Sequence, residues 1–414
     1  MKKIAFYLAA LVVLASCGNH AIDPADGPNP FEPVRLSTRQ LEFVSEGHSF
    51  DFNFIRNIDK ASKNDYIVSP QSMQFLLAML VNAAEGQTAA EIFNVLGYGS
   101  GELDAVNTLD RLLLDKLPSI DKKTTLSIAN ALVVNQTAPL KESYAASMKK
   151  VFDAEIANMD FSNVQAVLRK VNGWCSDKTG GMIKKIIDED NVRPDILAFL
   201  MNAIYFKGSW SDKFNKDATR QRDFVRADGT SVKLPMMSMT HEFMYGETKL
   251  FQFVRLPYGN GAFTMTVLLP NAAYTTADIA SWLNSETWAG MQSSSFEVDL
   301  WLPRFETKYY IQLNDLLSAM GMPSAFLNGV AEFHGMSDEA DCLDFVQQHA
   351  MIKVNEEGTE AAAVSSAGME KYASAGPAEY KVFHADRPFI YIISESSTGS
   401  ILFAGRYGAD PKEQ

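Results

Sequence analysis

The sequence predicts an α+β fold built as one large domain. Helix signals crowd the first half of the body and strand signals the second, with no βαβ rhythm to suggest a parallel sheet. The only proline-punctuated linker lies near the N-terminus, so the remainder is one body. At 414 residues, 47% hydrophobic and 21% charged, the chain has the makeup of a folded globular protein.

The elements follow in order. Lys2 and Lys3 precede an apolar run from Ile4 to Leu14, which ends in Leu14-Ala15-Ser16-Cys17. A basic start, a short apolar core and small residues make an export signal, too short for a spanning helix. The closing tetrapeptide is similar to the bacterial lipobox, which makes Cys17 the expected lipidation site. The expected product is an exported lipoprotein of the outer membrane or cell surface, on its periplasmic or extracellular face. Pro24, Pro28, Pro30 and Pro33 then mark an extended tether. The expected boundaries are therefore 1–16 for the signal, 17–36 for anchor and tether, and 37–410 for the folded domain.

Ser69-Pro70 supplies a helix cap and a proline at the first helical position, ahead of Met73, Leu76, Leu77 and Leu80. Thr88-Ala89-Ala90-Glu91 has the form of a capping box opening another helix. Ile196 to Phe206 is nearly all apolar, as a strand buried on both faces should be. Phe296, Val298, Leu300 and Leu302 alternate with Glu297 and Asp299, which suits a strand with one wet face. Pro388–Ile393 and Ile401–Tyr407 flank Glu395–Ser400 and read as a hairpin.

Charge and motifs exclude several functions. The net charge is -13, and loss of the two signal lysines leaves about -15; such a body does not bind nucleic acid through phosphates. Cys175 and Cys342 make either one bond or two buried thiols, and without CxxC neither zinc nor redox chemistry is indicated. The sequence contains no GxSxG, HExxH or GxxxxGK[ST]. Gly97-Tyr98-Gly99-Ser100-Gly101 fits a loop after a helix. Ser147-Met148-Lys149-Lys150 matches SxxK without its partner motifs and reads as a solvated helix face. His20, His48, His241, His334, His349 and His384 show no ligand spacing. Neither an enzyme nor a cofactor or metal is expected.

The distinctive segment runs from Val354 to Pro388. Alanine, glycine and serine dominate Ala361–Ala378, which alone would suggest a flexible linker. Yet a period of two runs through it. Odd positions from Thr359 read Thr, Ala, Ala, Ser, Ala, Met, Lys; even ones read Glu, Ala, Val, Ser, Gly, Glu. As a strand it buries small residues on one face and keeps Glu360 and Glu370 in water. With no proline before Pro377, every backbone N–H is available to a sheet.

Here a family resemblance appears. Asn355 followed by Glu356, Glu357, Gly358, Thr359, Glu360, Ala361, Ala362 and Ala363 resembles the reactive-loop hinge of inhibitory serpins almost letter for letter. Phe383 to Phe389 and Gly399 to Gly405 resemble the family's C-terminal signature. Asn64–Thr88, Asn202–Trp210, Leu256-Pro257-Tyr258 and Leu302-Pro303-Arg304-Phe305 are similar landmarks, in order across nearly the whole body. The resemblance implies a multi-helix domain around three β-sheets, with an exposed reactive loop at about 356–380. It also implies a monomeric suicide substrate for serine proteases, with cysteine proteases as further targets. A protease cuts the loop as an acyl-enzyme; the loop then inserts into a five-stranded sheet, Thr359 entering first, and distorts the protease. Serpin insertion is a standard example of strand addition and stored strain.

The family's loop length places the scissile carbonyl on Tyr372, with Ala373 following, which suits chymotrypsin-like enzymes. The stretch to Pro388 is slightly longer than usual, which leaves Lys371 for trypsin-like and Met369 for elastase-like enzymes as alternatives. Strands part in the family near the counterparts of Ser69, Ser72, Asn202, Trp210 and Gln348. Two positions depart from the pattern: Ala83 replaces a glycine, and Gln348 replaces a histidine, beside His349. Glutamine keeps a donor and an acceptor but cannot titrate. The membrane enters only through the anchor. The runner-up reading is a non-inhibitory binding protein on the same fold, followed by an unrecognised hydrolase.

Overall fold

The computed structural model describes residues 29–99, 101–340, 342–359 and 380–410. The first half alternates helices with a few strands: α1 (Thr38–Ala61), β1 (Tyr66–Val68), α2 (Pro70–Val81), α3 (Gly86–Leu96), α4 (Leu103–Lys116), β2 (Thr124–Asn135), α5 (Glu142–Phe152), β3 (Glu155–Met159), α6 (Val164–Lys178) and β4 (Ala198–Ser209). Strands then take over with β5 (Arg220–Val225), β6 (Ser231–Glu247), β7 (Phe251–Tyr258) and β8 (Phe263–Pro270). Short helices α7 (Thr276–Trp282) and α8 (Ser285–Ala289) precede β9 (Ser294–Pro303) and β10 (Phe305–Gln312), and α9 (Asn314–Met320) follows them. The chain closes with β11 (Gln347–Asn355), β12 (Gly358–Thr359), β13 (Tyr380–His384), β14 (Phe389–Glu395) and β15 (Ile401–Tyr407). The α+β class expected from the sequence is the one observed.

Hydrogen bonding joins these strands into two sheets, where the resemblance implied three. The cause is β6. It is 17 residues long and pairs β5 along its first part, β9 over Met236–Tyr245, and β7 from Met244 onward, welding two sets of strands into one nine-stranded sheet. The second sheet has the order β10-β11-β12-β4-β2-β3, so five full strands plus the two-residue β12. On one face, α2 packs beneath β4 and β15. On the other, Val167, Val171, Trp174 and Cys175 of α6 cover Ala131, Val133, Phe199, Met201 and Ala203.

Local signals succeed where the side chain they invoke acts locally. Ser69 caps α2 by accepting the Ser72 N–H at 3.2 Å, and Pro70 opens the helix as expected. The expected capping box at Thr88–Glu91 is not one. Helix α3 starts earlier, at Gly86, and Glu332 from far along the chain accepts the Gln87 N–H at 2.7 Å. Thr88 accepts the Glu332 N–H at 3.0 Å and Glu91 accepts from Ser324, so both side chains serve tertiary contacts. The strand expected at 196–206 begins at Ala198 and is not buried on both faces. Phe199, Met201 and Ala203 lie under α6, but Leu200, Asn202 and Ile204 are half-buried because they line a cavity.

One further expectation changes. Residues 29–36, the end of the expected extended tether, lie on the body: Phe31, Val34 and Leu36 pack against the core. Cys175 is buried and Cys342 half-buried, with no bond between them. Burial pushes the Cys175 thiol up to about 12.

Candidate functional site

The hinge residues form a hairpin at the top of the second sheet. Strand β11 turns through Glu356 and Glu357 into β12, setting Thr359 opposite Val354 and Gly358 opposite Asn355. Across its other edge, β12 pairs with β4, Gly358 against Ser209 and Thr359 against Gly208. Thr359 is therefore already in the sheet, 3% exposed, before any loop cleavage. Its hydroxyl shares a 2.7 Å hydrogen bond with the buried Tyr258 hydroxyl. Tyr258 stacks on Trp210 with ring centroids 4.4 Å apart, and Trp210 Nε1 donates to the Asn355 carbonyl at 2.9 Å. Gly358 has a φ of +149°, and a Cβ there would sit 2.0 Å from the Gly208 carbonyl oxygen. Only glycine fits that turn.

Charge fixes the hairpin's tip. Arg304 Nε donates to both carboxylate oxygens of the buried Glu356, at 2.6 and 2.8 Å, and Thr219 adds a third bond. Burial works to raise the Glu356 carboxyl, but the Arg304 and Thr219 hydrogen bonds prevail and hold it below the usual range. Glu357 binds Lys213 at 2.7 Å and Lys216 at 2.8 Å, and these bonds lower its carboxyl too.

Below β12 the sheet changes character. Among the described residues β4 and β11 share no ladder; β4 pairs with β2 on its far side and β11 with β10 on its own. The facing edges line a cavity of about 150 Å³ that includes Asn202, Ile204, Gln348 and Ala350. Leu76 of α2 lies on one side of it and Cys175 of α6 on the other. Among the described residues the two edges are joined only at the top, where β12 pairs with both, leaving a gap below. Backbone groups along two strand edges face it, and such edges favour pairing with a further strand.

The floor of the gap is polar and fully bonded. Gln348 of β11 grips the backbone of Ser69 twice, Oε1 accepting from its N–H and Nε2 donating to its carbonyl, both at 2.9 Å. Ser69 Oγ donates to Leu402 at 2.6 Å. From the other edge, Asn202 of β4 accepts from Ser72 Oγ and donates to Asn130 at 2.7 Å. Both edges are thus fastened to one point, the first turn of α2. The amide at Gln348 replaces an imidazole without leaving a group unpaired there. Beside it, burial pushes His349 down to about 4, so it is neutral at pH 7.

The structure brings Ser69, Ser72, Asn202 and Gln348 together at the floor of the gap, and Trp210 with Glu356, Glu357, Gly358 and Thr359 at its top. Glu360, Ala361, Ala362, Ala363, Met369, Lys371, Tyr372, Ala373 and Cys17 lie outside the described residues. Sequence reading assigned no role to Arg304, Lys213, Lys216 or Tyr258. Two consecutive acids in a segment bound for a sheet were the available hint that cations must lie nearby. The other candidates dissolve into structure. Gly97 ends α3 in the left-handed conformation, and Met148 of the SxxK match is buried in the core.

Fold and site together show a six-stranded sheet in which only the short β12 joins β4 to β11. The chain belongs to the serpin family: residues 45–409 match the family model "Serpin (serine protease inhibitor)". It is 31% identical to Serpin B6 of Macaca fascicularis over 89% of this chain and 100% of that protein. It resembles the native-state structure of the thermophilic serpin Tengpin with a TM-score of 0.80 at 25% identity, covering 92% of this chain and 97% of that one. It resembles human thyroxine-binding globulin complexed with thyroxine with a TM-score of 0.79 at 25% identity, covering 90% and 100%.

Proposed function

We propose that this chain traps proteases by inserting its cleaved loop into the gap between β4 and β11. One observation carries the reading: Gly358–Thr359 pair in register with both β11 and β4 at the top of the gap, and no ladder joins those two strands below among the described residues. Continuing that register downward sets Ala361 between Phe206 and Ile352, and Ala363 between Ile204 and Ala350, facing the core. Ser365 then reaches the polar floor between Asn202 and Gln348. Glu360 falls on the opposite face between Lys207 and Lys353. Small, polar and acidic residues each meet a matching neighbour, which a linker of arbitrary composition would not do.

The scissile bond in this reading is Tyr372–Ala373, with Lys371 and Met369 the neighbouring options, so chymotrypsin-like, trypsin-like and elastase-like enzymes are the target classes. Cys17 anchors the exported protein to the outer membrane or cell surface. A second reading, a non-inhibitory binding protein, has in its favour the likeness to thyroxine-binding globulin. The test is incubation of the purified protein with chymotrypsin, elastase and trypsin, followed by denaturing gels and mass spectrometry. An SDS-resistant band of summed mass with release of a peptide starting at Ala373 is expected. Clean loop cleavage with no complex, no loss of protease activity and no gain in heat stability sinks the inhibitory reading.

A further inference from the structure

Two carboxyls fasten the last described residues of the chain to the start of β1. Asp65, the residue before β1, accepts from the Gly408 N–H and, at 3.2 Å, from the Asp410 N–H. The Asp410 carboxyl lies within hydrogen-bonding reach of the Asp65 carboxyl. A Cβ on Gly408 would stand 3.3 Å from Asp65 Oδ1 and 3.5 and 3.6 Å from the two Asp410 oxygens, so both acids crowd one side of that glycine. Arg226, from the β5–β6 turn, donates through Nε to the Ala409 carbonyl at 2.7 Å, and Ala409 takes a φ of +55°. The segment is thus turned back and gripped from both β1 and the β5–β6 turn.

Two acids this close repel unless a proton or a cation lies between them. The neighbouring cations are engaged elsewhere. Arg406 donates to Asp59 and to the Ser62 and Asn64 carbonyls. Arg226 is spent on the Ala409 carbonyl and on Thr230 Oγ1, and Lys63 is exposed. The remaining titratable neighbours are phenols. Tyr309 of β10 bonds the Ser62 hydroxyl, while burial and then the Asp65 charge raise Tyr391 of β14 and Tyr407 of β15 above the usual tyrosine range, so both stay neutral. Burial, and after it the charge of Asp410, push the Asp65 carboxyl up to about 7 against the pull of its two N–H bonds. A neutral carboxyl keeps acceptor capacity for those N–H groups while its O–H donates to the partner acid.

We propose that Asp65 and Asp410 share one proton and form an acid-tightened clasp between the C-terminal segment and the start of β1. Strand β1 is three residues long and runs into Ser69, so the clasp lies close to the backbone that Gln348 grips. An unclasped aspartate loses its proton at about pH 4, whereas the clasped Asp65 keeps it until about 7. The proton therefore favours the closed clasp fully below about pH 4, and that preference is lost as pH rises toward 7, by up to about tenfold per pH unit. Above 7 two like charges remain, held only by the N–H bonds. The clasp works on the intact chain whether or not the loop inserts.

The test is hydrogen exchange of the Gly408 and Asp410 amides in the full chain in detergent, at pH 5 and pH 8, corrected for the intrinsic pH dependence of exchange. Local exchange is read in place of a urea midpoint because burial of His349 biases overall stability the opposite way over this range. Protection about ten- to a hundredfold higher at pH 5 than at pH 8 is expected. In Asp410→Asn the side-chain amide donates to an ionised Asp65 and no shared proton is needed, so most of that pH dependence disappears. Asp65→Asn keeps an acceptor for the N–H groups but cannot titrate, and it is expected to behave the same way. Equal protection at both pH values in the wild type overturns the clasp. A pH dependence that survives intact in Asp410→Asn means that Asp65 titrates alone, and it overturns the sharing of a proton. One that survives in Asp65→Asn belongs to other groups and sinks the proposal outright.

Discussion

Replacing Gly358 with alanine tests the hinge where its geometry is tightest. The new Cβ would stand 2.0 Å from the Gly208 carbonyl oxygen, against an ordinary contact of about 3.4 Å, so β12 must retreat by more than an ångström. That retreat breaks its pairing with Ser209 and Gly208 and separates Thr359 from Tyr258. A non-glycine residue held at φ +149° costs of order 1–3 kcal/mol. Each lost hydrogen bond adds about 0.5–1.5 kcal/mol, so the total is roughly 2–5 kcal/mol against a seated hinge. The inserted loop uses the same entrance, so the penalty falls on insertion as well. If insertion and deacylation compete for one acyl-enzyme, about 2.7 kcal/mol shifts their ratio about a hundredfold toward cleavage. The assay is the stoichiometry of protease inhibition, with a melting curve of the intact and cleaved protein. An alanine variant with wild-type stoichiometry and the same gain in heat stability on cleavage would falsify the account of the hinge.

Thr359→Arg places a guanidinium where a 3%-exposed side chain now sits and leaves the Tyr258 hydroxyl unpaired; loop cleavage without an SDS-stable complex is expected, and a stable complex would contradict it. Gln348→Leu strands the Ser69 N–H, which costs about 1–3 kcal/mol, and leaves the Ser69 carbonyl with only the Met73 N–H; a urea midpoint within error of wild type would show that the gap's floor does not depend on this amide. His349 resists protonation in the fold, where burial holds it near 4 against 6.5 for the exposed ring. The unfolded chain therefore binds the proton first, so stability falls as pH drops from about 6.5 toward 4. His349→Gln flattens that slope in urea titrations at pH 7 and 5, and an unchanged slope assigns it to other groups.

What the sequence revealed depended on how far each side chain reaches. Ser69-Pro70 announced α2 because cap and helix are neighbours in the chain. Thr88 misled because its hydroxyl answers Glu332, 244 residues away, and no local pattern encodes that choice. Proline content at 24–33 spoke to stiffness and not to docking; Phe31, Val34 and Leu36 were the signal that this stretch packs. In the candidate site, the period of two in the loop predicts a strand, of which only Gly358–Thr359 fall among the described residues. The gap itself was invisible, because an open edge is a relation between β4 and β11, whose sequences lie some 150 residues apart. The resemblance implied a loop exposed from about residue 356, with Thr359 entering the sheet after cleavage, whereas Thr359 is already paired on both sides.

The gap between β4 and β11 also changes what durability means for this molecule. If the loop inserts as proposed, the intact fold sits above a lower state reachable without dissociation or partner; its persistence is then a matter of barrier height, and the number that describes it is a half-life. A melting temperature read from the intact protein should climb with scan rate, while the cleaved protein, with the strand in place, should give a scan-independent value. Additives or surface changes chosen to raise an equilibrium midpoint could shorten shelf life if they also ease the parting of those two strands.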